Sequence, residues 1–261
     1  MRGFMLCSMM AVGVMSAAGQ APPPPAAVNP DEIIQKFAAK EAEFRKAREN
    51  YTYSQSVKME EVDPSGAVEG KWEINSDITF GPNKEREEKV TYAPMVTLRN
   101  LVLTPQDEQD LRNVQPFVLT SEDVGKYDIQ YTGKEKLDEI NCYKFSVKPK
   151  KMVKGERYFE GDIWVDDRDL QIVKTYGKGV GLTKKGEDNQ FPKFETYRQQ
   201  IDGKYWFPTY TRADDTLHFR NMDQRIHMVV KYDHYKRFGA QTTVTFGDEV
   251  PDNKSDNKPK P

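Results

Sequence analysis

The stretch Arg157-Tyr-Phe-Glu-Gly-Asp-Ile-Trp-Val-Asp-Asp-Arg-Asp-Leu-Gln-Ile-Val-Lys-Thr175 reads as two strands folded about a polar turn. Phe159, Ile163 and Val165 fall on one phase of a two-residue period, and Leu170 and Ile172 follow the turn Asp166-Asp167-Arg168-Asp169. Side chains alternate faces along a strand, so this spacing describes a hairpin with one apolar face. The same phase recurs outward along the chain. Trp72, Ile74, Ile78 and Phe80 oppose Glu73, Asn75, Asp77 and Thr79. Tyr127, Ile129 and Tyr131 repeat it, as do Tyr143, Phe145 and Val147, then Ile226, Met228, Val230 and Tyr232. Strands joined by short polar turns without intervening helices form an antiparallel meander. Periodicity leaves open whether that sheet closes into a barrel. Trp164 interrupts the wet side of its strand, and Tyr205-Trp206-Phe207 is apolar on both sides before Pro208. Such positions are buried on both faces or line a cavity, and a helix packed on the inner sheet face is the commoner cause.

A helix is expected ahead of the first strand. Asn29 suits an N-cap, Pro30 the first helical position, and Glu32 stands three residues after Asn29, as in a capping box. Ile33, Phe37, Phe44 and Ala47 then recur near helical spacing, reinforced by Ile34, Ala38 and Ala42. A second, shorter helix is expected from Thr104-Pro105, carrying Leu111 and Val114.

Both ends read differently from the middle. Arg2, the uncharged apolar run Phe4 to Met15 and the small residues Ser16 to Gly19 have the order of a secretory signal peptide, cut after Ala18 or Gly19. A bilayer span needs about 20 apolar residues, which disfavours a retained anchor and leaves no transmembrane segment in the mature chain. Residues 1–19 are therefore expected as signal, 20–30 as a Pro-rich spacer, 31–247 as one domain and 248–261 as a disordered tail. Export to the periplasm follows. Cys7 lies within the signal, so Cys142 is alone in the mature chain and has no disulfide partner. Its strand-like setting and the lack of a nearby histidine make it a buried structural thiol.

Charge and motifs exclude more than they select. The 39 basic and 41 acidic residues nearly balance, which argues against a nucleic-acid groove. Mean hydropathy is low at −0.81, yet 11% of residues are aromatic, a combination that suits a sheet with one wet face better than a disordered chain. There is no Gly-x-Ser-x-Gly, His-Glu-x-x-His or Walker-type phosphate loop. Gly177-Lys178-Gly179-Val180-Gly181 is not followed by a helix start and, with Thr183, Lys184, Lys185, Gly186 and Asp188, reads as a long hairpin loop. His218, His227 and His234 are spaced against a shared metal site, and Asp166, Asp167 and Asp169 lack the glycine and distal glutamate of a calcium loop. Glu160 and Asp162 share one strand face and read as its solvated side. No catalytic residue, cofactor or metal ligand is assigned, and the chain is expected not to be an enzyme.

Two stretches carry a family resemblance: the hairpin Arg157–Thr175, and Phe194-Glu-Thr-Tyr-Arg-Gln-Gln-Ile-Asp-Gly-Lys-Tyr-Trp-Phe-Pro-Thr209, where one strand ends in Asp-Gly and an aromatic pair with Pro begins the next. Both resemble outer-membrane lipoprotein-sorting proteins of the LolA/LolB-like superfamily, and Val230–Phe238 is similar to that family's late strand. The likeness spans most of residues 31 to 247. It implies a mainly β (α+β) fold, a strongly curved antiparallel half-barrel with two or three helices over its concave face. It also implies a cavity for lipid acyl chains, to which the inner-face residues Trp72, Ile74, Phe80, Phe145, Phe159, Ile163 and Val165 are assigned. The function so implied is a periplasmic lipid or lipoprotein carrier. The alternative from the same fold is an envelope sensor or interaction module with a protein partner.

Overall fold

The computed structural model describes residues 29–182 and 190–238. The signal, most of the spacer, the tail, residues 239–247 and the Thr183–Asp188 part of the expected loop lie outside the described residues. Helix α1 (Pro30–Arg48) precedes strands β1 (Tyr51–Val62), β2 (Val68–Phe80) and β3 (Arg86–Tyr92). A cover segment follows, containing α2 (Pro105–Gln109), a π-helical turn (Asp110–Val114) and a 3₁₀ turn (Val124–Lys126). Seven strands complete the chain: β4 (Tyr127–Leu137), β5 (Ile140–Pro149), β6 (Tyr158–Asp166), β7 (Ile172–Val180), β8 (Phe194–Ile201), β9 (Tyr205–His218) and β10 (Asp223–Arg237).

The ten strands form one antiparallel sheet in the order β3-β2-β1-β10-β9-β8-β7-β6-β5-β4. The sheet stays open, with β3 and β4 at its edges, which answers the barrel question. Register shifts interrupt six of its pairings, between Glu61 and Val62 and between Tyr131 and Gly133 among others. Each such irregularity bends a strand and increases its twist, so the sheet curves. The Asp202-Gly203 turn between β8 and β9 has positive φ at both residues, 55° and 66°. Both values lie in the left-handed region, which favours glycine and tolerates aspartate in this three-residue loop.

Helix α1 runs for 19 residues, and the Asn29 side chain accepts a hydrogen bond from the Glu32 backbone N–H. The Glu32 carboxylate turns instead to Lys36 Nζ at 2.6 Å. Ile34, Phe37, Ala38 and Phe44 are buried, as the stripe predicts, while Ile33 and Ala47 lie at its margin. Phe37 packs on Phe145 with ring centroids 5.5 Å apart, which sets α1 on the inner sheet face. Met59, Met228, Phe145, Ile163, Val165 and Ile172 join the same core from five strands.

Three details differ from the periodicity. Gly177 and Gly179 belong to β7 and not to a loop. At Gly179 a Cβ would come within 2.0 Å of the Asp110 carboxylate, so the glycine admits the π turn against the sheet. Leu170 sits in the turn with φ 51°, and β7 begins at Ile172. Trp164 is covered by no helix: it packs on the outer face with Cys142 and Val173, beneath the ammonium groups of Lys144 and Lys174. Long lysine stems shield such a ring while keeping their charge wet. Trp206 packs against this outer cluster, and Phe207 meets Phe44 of α1 edge-on at 5.0 Å, so Trp206-Phe207 is covered on both sides.

Candidate functional site

The inner sheet face is roofed by α1 and by the segment from residue 93 to 126. How that segment is held defines the site. Thr104 caps α2: its hydroxyl accepts from the Asp107 N–H, and Asp107 Oδ2 accepts from the Thr104 N–H at 2.7 Å. Pro105 stands at the first helical position, as expected. The chain then widens into the π turn and sends Asp110 down to Arg157, with a two-pronged contact of 2.8 and 2.6 Å. Burial raises the Asp110 pKa, against the pull of the Arg157 cation. The guanidinium itself lies 3.8 Å from the centroid of the Phe191 ring. One end of the cover is thereby fastened to the start of β6.

The other end is fastened by Glu61. This fully buried carboxylate accepts three backbone N–H bonds, from Arg99 at 2.7 Å, Asn100 at 2.8 Å and Leu101 at 2.7 Å. The Asn100 amide donates to Gln224 Oε1 at 2.8 Å, which ties the loop to β10 as well. A charge on the buried phase of β1, after Val57 and Met59, is the sequence signal for this anchor.

Beneath the cover lie two adjoining cavities. The larger, about 280 Å³, is walled by Met59, Leu101, Leu103, Phe191, Leu217 and Ile226 among others. A smaller one of about 40 Å³ reaches inward to Trp72, Leu111 and Met228. They share Met59, Leu103, Asp107, Phe191 and Pro192, so they form one groove between the cover and the inner face. A separate hollow of about 430 Å³ has Glu43, Lys46, Asp202, Lys204 and Arg237 in its wall.

The residues expected to line a cavity are spread among these features. Trp72 walls the groove. Phe80 and Phe159 line two other hollows, of about 200 and 250 Å³. Ile74 packs with Val57, Val230 and Tyr232. Phe145, Ile163 and Val165 are fully buried in the core and lie outside the walls of these cavities. Periodicity correctly placed them inward, but it does not separate a packed position from a cavity wall. Leu103, Phe191, Met59 and Met228 were not assigned to a site; Leu103 and Phe191 come from irregular segments, where alternation carries no signal.

Burial pushes the Cys142 thiol up to about 12, with Asp166 and Asp167 adding to the effect. Asp162 pairs with Lys144 Nζ at 3.4 Å, and Glu160 is exposed on the wet face. Among the described residues no group of three or more His, Cys, Asp or Glu side chains is placed to hold a metal ion. No described helix is long and apolar enough to cross a membrane.

No protein-family model and no curated protein sequence matches the chain. Several solved structures are similar to it. A DUF1329-family protein from Desulfovibrio piger is 16% identical, with a TM-score of 0.44, covering 82% of this chain and 96% of that one. A LolA-superfamily protein from Nitrosomonas europaea is 14% identical, with a TM-score of 0.37 and coverage of 82% and 96%. A putative outer-membrane lipoprotein-sorting domain from Vibrio parahaemolyticus is 11% identical, with a TM-score of 0.36 and coverage of 80% and 95%. The chain's own architecture is an open, curved antiparallel sheet with helical segments on its inner face, the form that the resemblance of the two hairpins implies.

Proposed function

We propose that the protein is a periplasmic binding protein that takes a lipid acyl chain, free or attached to a lipoprotein, into the groove beneath the cover. The observation that carries this reading is the continuity of the groove from Trp72 and Met228 to Leu217 and Phe219. Its larger part, about 280 Å³, stands near the lower end of ligand sites, which run from about 300 to 1,000 Å³. Burial of each CH₂ contributes about 0.8 kcal/mol, so about twelve methylenes supply roughly 10 kcal/mol. Association itself opposes binding by about 4–15 kcal/mol. A long chain is therefore needed, and the cover must swing outward to admit it.

Delipidated protein titrated with a fluorescent fatty-acyl probe tests the reading, together with mass spectrometry of lipid carried through native purification. Saturable binding is expected in the parent and in Val153→Asp, a remote charged control on an exposed position. Leu103→Asp, which places a carboxylate in the groove wall, abolishes it. A parent that neither binds the probe nor carries lipid overturns the proposal and brings forward an envelope protein partner for the same fold.

A further inference from the structure

The hollow of about 200 Å³ that Phe80 lines lies near the C-terminal end of α1, and it shares no wall residue with the apolar groove. The π turn borders both: Leu111 walls the groove, whereas Arg112 and Asn113 wall the hollow. Five cations line this hollow, Arg45, Arg48, Lys84, Arg86 and Arg112, against one acid, Glu49. Four of the five have partners. Arg45 contacts Glu122 and Asp123, Lys84 donates to Asn50 Oδ1, Arg86 contacts Glu88 and Gln55, and Arg112 contacts Glu88 and Glu108. Those carboxylates stand outside the wall.

Arg48 is different. It is partly buried, and its side chain makes no hydrogen bond or ion pair with any described residue. Desolvation lowers its pKa from the usual arginine value, and the like charge of Arg198 works in the same direction, against Tyr53, Glu41 and Glu49. An unpaired guanidinium in such a place is stabilised by an anion, and charge-assisted bonds to it are among the stronger ones proteins make. The rest of the wall is aromatic. Phe44, Phe207, Tyr235 and Tyr53 form a continuous stack with centroid separations of 5.0, 4.7 and 5.1 Å, and Phe80 faces it from β2. A hydrated inorganic ion has no use for that surface.

We infer that this hollow binds the anionic head, carboxylate or phosphate, of an amphiphile, with Arg48 as the contact and the aromatic wall against the adjoining methylenes. The inference goes beyond the acyl groove and stands without it, since the two share no residue.

Calorimetric titration of the full chain with octanoate, octyl phosphate, octanol and inorganic phosphate separates the possibilities. Octanoate or octyl phosphate is expected to bind one-to-one, with octanol and inorganic phosphate each at least about tenfold weaker, a difference of about 1.4 kcal/mol or more. The better of the two anionic ligands identifies the head group. High salt weakens that binding, and octanol is unaffected by salt. Arg48→Gln lowers the anionic ligand's affinity at least about tenfold and leaves octanol unchanged; Arg48→Lys recovers part of it. Phe191→Asp, in the groove, leaves it unchanged. Equal affinity for octanoate and octanol, or an anionic affinity lost in Phe191→Asp and kept in Arg48→Gln, overturns the inference, as does inorganic phosphate binding as tightly as octyl phosphate. Thermal melts verify folding, and Arg48→Met, which keeps the length of the side chain and removes its charge, supplies a second variant with the same expected loss.

Discussion

Glu41 occupies the apolar stripe of α1, one turn from Phe37 and one before Phe44, and is fully buried. Arg198 of β8 meets it with both carboxylate oxygens 3.1 Å from Nη1, and the Ile172 N–H donates to Glu41 Oε1 at 3.0 Å. Arg198 also donates to the Phe117 carbonyl, so one cation joins the helix, the sheet and the cover. Breaking a buried pair leaves an uncompensated charge, worth about 3–5 kcal/mol. Glu41→Leu is expected to lose that much in urea denaturation, and Glu41→Leu with Arg198→Met to lose less than either single change. The surface offers a pH test of opposite sign. Burial works to raise the Glu195 pKa, but hydrogen bonds from Lys174, Tyr197 and Arg212 outweigh it, so the value falls below 4.5. Its contribution to stability is complete above pH 4.5 and is lost as pH falls through the lowered value. Glu195→Gln should therefore flatten the acid limb of the stability–pH curve. The Glu41 pKa is raised by burial, so its contribution is complete below pH 4.5 and declines as pH rises through the raised value.

Among the elements, α1 carries two separate attachments. Phe37 belongs to the main core with Phe145, whereas Phe44 packs with Tyr51 and Phe207 in a second cluster. Each Phe→Ala change is expected to cost about 3–5 kcal/mol. Because the two sites share no cluster, the double variant should show nearly additive losses in chemical denaturation. The π turn rests on a closer fit. Gly179→Ala drives a methyl group into the Asp110 carboxylate, and overpacking of this kind typically costs about 1–3 kcal/mol. Gly125→Ala meets no atom within 4 Å and should melt like the parent. Period-two and helical spacing located α1 and most inner-face strand positions, because their stripes are long and regular. The β7 glycines were legible only as a loop, since nothing in a local window announces that Asp110, some seventy residues earlier, needs the space.

For the whole molecule, the cover is the part whose opening matters. Glu61→Gln keeps the shape of the anchor but removes the charge that three N–H groups share. Amide exchange at Arg99, Asn100 and Leu101 should rise, while protection in the β1–β10 ladder stays as it was. Rapid exchange throughout β1 would mean that Glu61 supports the sheet itself. The meander, its inward face and the two helix starts are local properties, written in the alternation and capping of residues such as Ile163, Val165, Asn29 and Thr104. The openness of the sheet, the Glu41–Arg198 and Asp110–Arg157 pairs and the groove beneath Leu103 depend on segments far apart in the chain. Alternation shows which way a side chain points, but whether it meets a neighbour or a cavity is decided only when distant elements pack, and so Ile163 became core while Leu103 became a wall.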